Sequence, residues 1–438
     1  MIHHPMKPFV TRRSRLLKAM TPGSLAIFPS APVTLRNNDV EQEYRQDSDF
    51  FYLTGFDEPE AVLVLLAGPK KNETVLFLRP RNAERERWDG ARLGVEGAKD
   101  RLGVDAAYAI DTFEDRLPAL LRNRSRLYVR LGQAATLDRQ LLTMLEHLRA
   151  RSRRGATWPT EVVEPAVLVH EMRLHKSSYE IKRMRRAAEI TRDAHLEAMR
   201  LAAPGRHEYE VDARLREVFR RHGSERVAYA PIVGGGANAT ILHYRQNQQP
   251  LNDGDLLLID AGCEYDYYAC DVTRTFPVSG QFSRPQRQIY ELVLAAQLAG
   301  IAASVPGKTL EDVHQATVHV LVDGLRELGL LKGDRAKILK KKTYKPFYMH
   351  RAGHYLGMDV HDVGTYFAGK KYRPLEAGMV ITVEPGLYFD PDDKTVPRAY
   401  RGIGVRIEDD VHVTEGGPDV LTYDIPKTVA DVEQACSA

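Results

Sequence analysis

In the first third of the chain, short apolar runs at 24–28, 61–67, 74–78 and 127–131 alternate with helix-period stretches such as 136–149. That rhythm predicts a small α/β domain. After the basic run 151–154, Gly155, Pro159 and Pro165 interrupt the pattern and read as a connection. The boundary is placed near residue 172, giving residues 1–172 and 173–438.

The second part opens with Ser177-Ser178-Tyr179-Glu180, a capping box ahead of a long helical pattern that stops before Pro204-Gly205. Another helix is expected from Glu208 to a stop at Gly223. Ser283 with Gln286, and Thr309 with Asp312, start two more. Strand-like runs lie at 255–260, 272–276, 379–384 and 405–413. Helices and hairpins are mixed rather than strictly alternating, which predicts an α+β domain. Two segments echo each other. Leu251, Gly254, Asp260 and Gly262 recur at the same offsets as Leu375, Gly378, Glu384 and Gly386. In each copy an apolar strand ends in a carboxylate, a placement that needs cationic compensation if it is buried. Chance could produce the echo, and so would a duplicated half-domain.

Composition narrows the class. The 438 residues allow two domains, one with a sizeable core. Lys plus Arg number 62 against 59 Asp plus Glu, so no global basic field marks a binder of nucleic acid or membrane surface. The three cysteines, Cys263, Cys270 and Cys436, do not make a disulfide framework. With no long apolar run, the chain reads as soluble and cytoplasmic.

Candidate chemistry begins at residues 259–272. A two-residue turn at Tyr265-Asp266 puts Asp260 directly across from Asp271, with β-carbons roughly 5 Å apart on one face. Two like charges so placed need either a proton or a cation between them. If the turn lies elsewhere, both acids can be solvated. Strand alternation sends Cys263 and Cys270 to the opposite face, where they pack and do not ligate. Three histidines, His350, His354 and His361, fall within 12 residues of a Gly-rich segment. His243 is a weaker fourth candidate. Glu408 follows Arg406 by two residues, so the arginine either orients that carboxylate or forms an ordinary ion pair. The sequence His170-Glu171-Met-Arg-Leu-His175 fails as a zinc motif because its histidines are five apart and point to different helix faces. Gly234-Gly235-Gly236 lacks the rest of a phosphate loop and reads as a flexible turn before a strand carrying His243.

Several of these stretches resemble the proline peptidases of the pita-bread metallopeptidase family: Asp260-Ala-Gly, Asp271-Val-Thr-Arg-Thr-Phe-Pro, the His350 to Gly364 segment, Thr382-Val-Glu384-Pro-Gly and Arg406-Ile-Glu408-Asp-Asp. Residues 44–56 are similar to the N-terminal domain of bacterial aminopeptidase P. The resemblance implies a pita-bread domain with a pseudo-twofold repeat behind a smaller α/β domain. It also implies two divalent ions: Asp260 and Asp271 serving one, His354 and Glu384 completing the other, Asp271 and Glu408 bridging. Manganese is the expected metal for such hard ligands, with cobalt or zinc as substitutes. The resemblance further implies a metal-bridging hydroxide, with Glu384 passing its proton toward a leaving prolyl nitrogen, and cleavage between an N-terminal residue and a following proline. His361 and His243 are implied to contact the scissile carbonyl, and His350 the proline side. Peptides with proline second are the implied partners, with neither nucleic acid nor membrane, and a homo-oligomer, a dimer or tetramer, is expected. Arg351 and Cys270 stand where the family commonly has Gly and a small residue. A prolidase, or a non-catalytic binding module of the same fold, remains an alternative. Trp88 is read as a wall of the cleft or as a packed core residue.

Overall fold

The computed structural model describes residues 5–151, 153 and 155–437, so positions 152 and 154 of the basic run lie outside the described residues. The chain divides into two compact units, Met1–Arg173 and Leu174–Ala438. In the first, six strands form a mixed sheet in the order Ala106–Ala109, Glu73–Leu78, Val62–Ala67, Ser24–Pro29, Arg126–Tyr128, Glu161–Val163. Leu25, Val64, Val75, Phe77 and Leu127 on these strands share a core with Leu141 and Leu148 of the helix Ala135–Ala150. A helix over Lys7–Ala19 went unread because five basic residues interrupt its apolar face. Its Arg13 is nonetheless 2% exposed, donating to the carbonyls of Leu53, Leu102 and Gly103. Trp88 is 83% exposed, which removes the packing reading.

In the second unit the expected helices form where their caps are written: Ser178–Leu201, Glu208–Arg221, Arg284–Ala302 and Leu310–Glu327. Ser177 and Glu180 close the first box, with Glu180 Oε2 accepting from the Ser177 amide at 2.9 Å. The helices pack on two antiparallel hairpins, which form the halves of the repeat. One joins Leu256–Asp260 to Thr273–Pro277. In the other, Val380–Val383 pairs with Asp409–Thr414 and Gly386–Tyr388 pairs with Gly404–Arg406. The run 405–413 is therefore two strands with different partners, divided at Ile407-Glu408. Among the described residues no helix is long and apolar enough to cross a membrane.

The first hairpin corrects the expected register. Its turn is Asp266-Tyr267, with φ values of 50° and 68°, the left-handed pair that matches the twist of a tight hairpin. Tyr265 pairs with Tyr268, so Asp260 faces Thr273 and lies diagonally from Asp271. The slip is two residues in the partner, and side chains alternate with a period of two, so both aspartates keep one face. Cys263 and Cys270 keep the other, inside the core. Opposite Asp271 stands Gly262, whose added Cβ would lie 1.7 Å from the Cys270 carbonyl oxygen. A second correction concerns the glycine triplet. Gly234 and Gly235 belong to strand Ile232–Gly235, and His243 follows a short 3-10 helix on a turn rather than on a strand.

Behind the first hairpin, the Nε2–H of His195 donates to the Ala261 carbonyl at 3.0 Å, and the ring is fully buried. Burial, helped by the Arg274 charge, pushes this imidazole down to about 4. The folded state therefore binds fewer protons than the unfolded chain between the two values, and stability present above the ordinary histidine range is lost as pH falls. Between pH 7 and pH 4 the protein should lose about 3 kcal/mol more than its His195→Gln variant. Denaturant titrations at both pH values read this, and equal losses would refute it.

Candidate metal centre

Each hairpin breaks its ladder where an acid sits. Ala261-Gly262 and 270–272 interrupt the first, and Glu384-Pro385 and Ile407-Glu408 the second. Pro385 has no N–H for the ladder, which helps to end the strand Val380–Val383 just before Glu384. The pairings Val383 with Asp409 and Gly386 with Arg406 continue on either side of the break, so Glu384 faces Glu408. The repeat aligns Asp260 with Glu384, and Thr273 then occupies the place of Glu408. Thr273 Oγ1 donates to Glu408 Oε2 at 2.6 Å, tying the two hairpins together.

Asp260 is held from two sides. Tyr229 donates its hydroxyl to Oδ1 at 2.6 Å and Arg406 Nη2 donates to Oδ2 at 2.6 Å. Arg406 also reaches Thr273 Oγ1 and the Tyr388 hydroxyl. It thus orients a carboxylate, but that of Asp260 on the other hairpin. Asp271 takes its place from its backbone, whose N–H donates to Asp410 Oδ2 at 3.2 Å.

His354 arrives on a loop pressed against strand Val380–Val383. A Cβ at Gly353 would come 1.9 Å from the Thr382 carbonyl oxygen, so the approach requires glycine there. The Nδ1–H of His354 donates to the Tyr355 carbonyl at 3.0 Å, which leaves the Nε2 lone pair facing inward. That Nε2 lies 3.5 Å from Asp271 Oδ2 and 3.8 Å from Glu384 Oε1. These separations are long for hydrogen bonds. They come close to the spacing of two ligands of one ion, about 3–3.5 Å when each stands about 2.1 Å from it. Asp271, His354 and Glu408 each offer a ligand atom, all within 4.8 Å of one another.

The charges fit the same occupant. Burial, with the neighbouring carboxylates adding to it, drives Glu408 well above the ordinary range, Glu384 up to about 7 and Asp260 upward. His354 rises to about 9, burial opposing and Asp271 and Glu384 prevailing. A cluster that holds protons this tightly on its own is a cluster that cations can occupy in their place. The flanking strands do not make the cluster affordable unaided. Leu256, Leu257, Leu258 and Ile259 contribute about 1.5–3 kcal/mol each by burial. Several kcal/mol is the cost of each uncompensated charge, and four carboxylates converge here.

The cleft above the acids measures about 370 Å³ and is lined by Leu242, His243, Asp260, His350, Arg351, Gly353, His354, Tyr366, Glu384 and Arg406. His361 stands beside it, its ring edge-to-face with His354 at 4.4 Å between centroids. The Nδ1–H of His350 donates to the Arg351 carbonyl at 2.8 Å, and Nε2 accepts from the Tyr388 hydroxyl at 2.9 Å. Tyr388 in turn accepts from Arg406 at 3.0 Å. Burial pushes His350 down to about 3, in keeping with a neutral ring. All nine candidates thus converge on one region. Tyr229, Thr273, Tyr388 and Asp410 were missed: Tyr229 and Tyr388 belong to no spacing motif, and nothing within the resembling segments singles out Thr273 and Asp410 as partners of the acids. The correct turn would have disclosed Thr273. The rejected zinc motif is divided by a helix end: the helix Ala166–Leu174 stops before His175, which pairs with Glu376 at 3.2 Å.

A model of metallopeptidase family M24 matches residues 182–415, and one of the aminopeptidase P N-terminal domain matches residues 9–128. The chain belongs to metallopeptidase family M24. A Xaa-Pro aminopeptidase of Haemophilus influenzae is 46% identical over 429 residues, 98% of this chain and 97% of its own length. The aminopeptidase PepP of Pseudomonas aeruginosa superposes with a TM-score of 0.97 at 51% identity, over 100% of this chain and 99% of that one. A zinc-substituted Escherichia coli aminopeptidase P in complex with product gives a TM-score of 0.96 at 45% identity, over 99% and 98%. This M24 chain is a metal-dependent peptidase with an aminopeptidase P-type N-terminal domain followed in sequence by a pita-bread domain, and its Asp271, His354 and Glu408 can hold a divalent ion.

Proposed function

We propose that the protein is an aminopeptidase that hydrolyses the bond between an N-terminal residue and a following proline. What carries this reading is Glu384 facing Glu408 beneath an open cleft, with Asp260, Asp271 and His354 around them, in a chain similar end to end to Xaa-Pro aminopeptidases. Asp260 and Asp271 would hold one ion, His354 and Glu384 the other, and Asp271 and Glu408 would bridge. Two dications held there would supply a water ionised near neutral pH and positive charge for the developing oxyanion. Glu384 accepts the proton of the attacking water on a carboxylate oxygen and hands it to the prolyl nitrogen as the bond breaks. His361 and His243 donate to the scissile carbonyl oxygen. The neutral ring of His350, fixed by Tyr388 and the Arg351 carbonyl, borders the proline. Arg406 and Tyr229 hold Asp260 in place.

Four carboxylates and one imidazole make a hard donor set, so manganese is the native ion in this reading, with cobalt or zinc able to replace it. The three free thiols suit a cytoplasmic setting, and the protein acts as a homo-oligomer, a dimer or tetramer. The test offers manganese-loaded protein Xaa-Pro-Yaa tripeptides and Xaa-Pro dipeptides side by side. Tripeptide cleavage after the first residue is expected. Cleavage of dipeptides alone would make the protein a prolidase, and cleavage of neither with two ions bound would leave a binding module.

A further inference from the structure

Arg351 stands on the cleft lining next to His350, and its role is unassigned by the reaction above. Its side chain is 49% exposed, with the guanidinium 5.5 Å from the ring centre of Tyr372. Among the described residues its one hydrogen-bonded partner is Glu311, which accepts from Nη2 at 2.5 Å. Glu311 is itself pinned, accepting from Gln315 Nε2 at 2.7 Å. An arginine carries five N–H donors on a planar fork, so an edge engaged by one carboxylate leaves donors for a second.

The direction of a bound peptide follows from the proton path, and here the inference rests on the proposed reaction. Glu384 gives its proton to the leaving prolyl nitrogen, and its Oε2 is the oxygen nearest His350, 3.7 Å from Nδ1. The peptide beyond the scissile bond therefore leaves the metals past His350, and the next side chain along that wall is Arg351. We propose that Arg351 receives a carboxylate of the residue after proline, either the free C-terminus of a tripeptide or an acidic side chain in a longer peptide. Charge-assisted pairing on an open rim sets the preference at about tenfold in kcat/KM.

Four substrates test it on the metal-loaded enzyme: Xaa-Pro-Ala, Xaa-Pro-Ala-amide, Xaa-Pro-Glu-amide and Xaa-Pro-Lys-amide. The wild type should favour the carboxylate-bearing peptides about tenfold over their uncharged or basic counterparts, mainly through KM. In Arg351→Gln that ratio should collapse toward one, and Arg351→Lys, which keeps the charge but not the fork, should fall between. A preference limited to Xaa-Pro-Ala identifies the terminal carboxylate; one for Xaa-Pro-Glu-amide identifies the side chain. Equal ratios in wild type and Arg351→Gln, or a wild-type ratio of one, would overturn the inference while leaving the proposed reaction intact. Failure to cleave any of the four would instead strike the reaction itself.

Discussion

Glu384→Gln is expected to lower kcat/KM on an Xaa-Pro-Yaa tripeptide by about 10²- to 10⁴-fold while the protein stays folded. The amide matches the carboxylate in size, and its backbone anchor, the N–H donated to the Ala352 carbonyl at 2.8 Å, is untouched. What disappears is a group able to take a proton from water and release it to the prolyl nitrogen. The substitution also removes one of four converging negative charges, so metal binding has to be measured alongside. Metal content by mass spectrometry and kinetics at saturating manganese separate the two effects. A variant that binds two ions and still turns over within tenfold of the wild type would end the proton-carrier assignment. Loss of activity only in step with loss of metal would recast Glu384 as a ligand alone.

The second large effect lies away from the cleft. Arg274 is fully buried and spends all five donors: Nε on the Pro426 carbonyl, Nη1 on those of Thr273 and Glu408, Nη2 on the Asp409 carboxylate and the Ile425 carbonyl. Asp409, equally buried, is held below the ordinary carboxylate range despite burial by Arg274 and Lys427. Removing the arginine leaves a buried carboxylate with a single cation and four carbonyls without their donor. Arg274→Met should cost about 3–5 kcal/mol in denaturant unfolding. Because the same guanidinium fixes the backbone of both Thr273 and Glu408, metal affinity should fall as well. Arg274→Lys should rescue little, since a point charge with three donors cannot replace a planar fork with five. A loss below about 1 kcal/mol would show that the strands hold these positions without it.

Much of the second unit was legible in the chain because its signals act over a few residues. A Ser or Thr with an acid or amide three positions on specifies a helix start through hydrogen bonds within one turn, and all three boxes closed as read. Apolar runs marked the strands, and the echo of Asp260 in Glu384 pointed to paired hairpins. Even the misplaced turn left the chemistry readable, because a shift of two residues cannot move Asp271 to the other face.

Other features had no local cause to read. The strand expected over 405–413 breaks at Glu408 because its halves pair with segments on either side of Pro385. The target of Arg406 is Asp260, 146 positions earlier, rather than its near neighbour Glu408. Thr273 meets Glu408 only because two hairpins are brought side by side, and Tyr229 reaches Asp260 because the strand before it, Arg226–Val227, pairs with the first of them. The sequence by itself thus determined the helices, the strand faces and the acids that end the strands. Only the tertiary structure decided which acids face one another, which histidine turns Nε2 toward them and what holds each in place. Those outcomes depend on register across strands and on contacts between distant segments, and such contacts are set by the packing of whole elements.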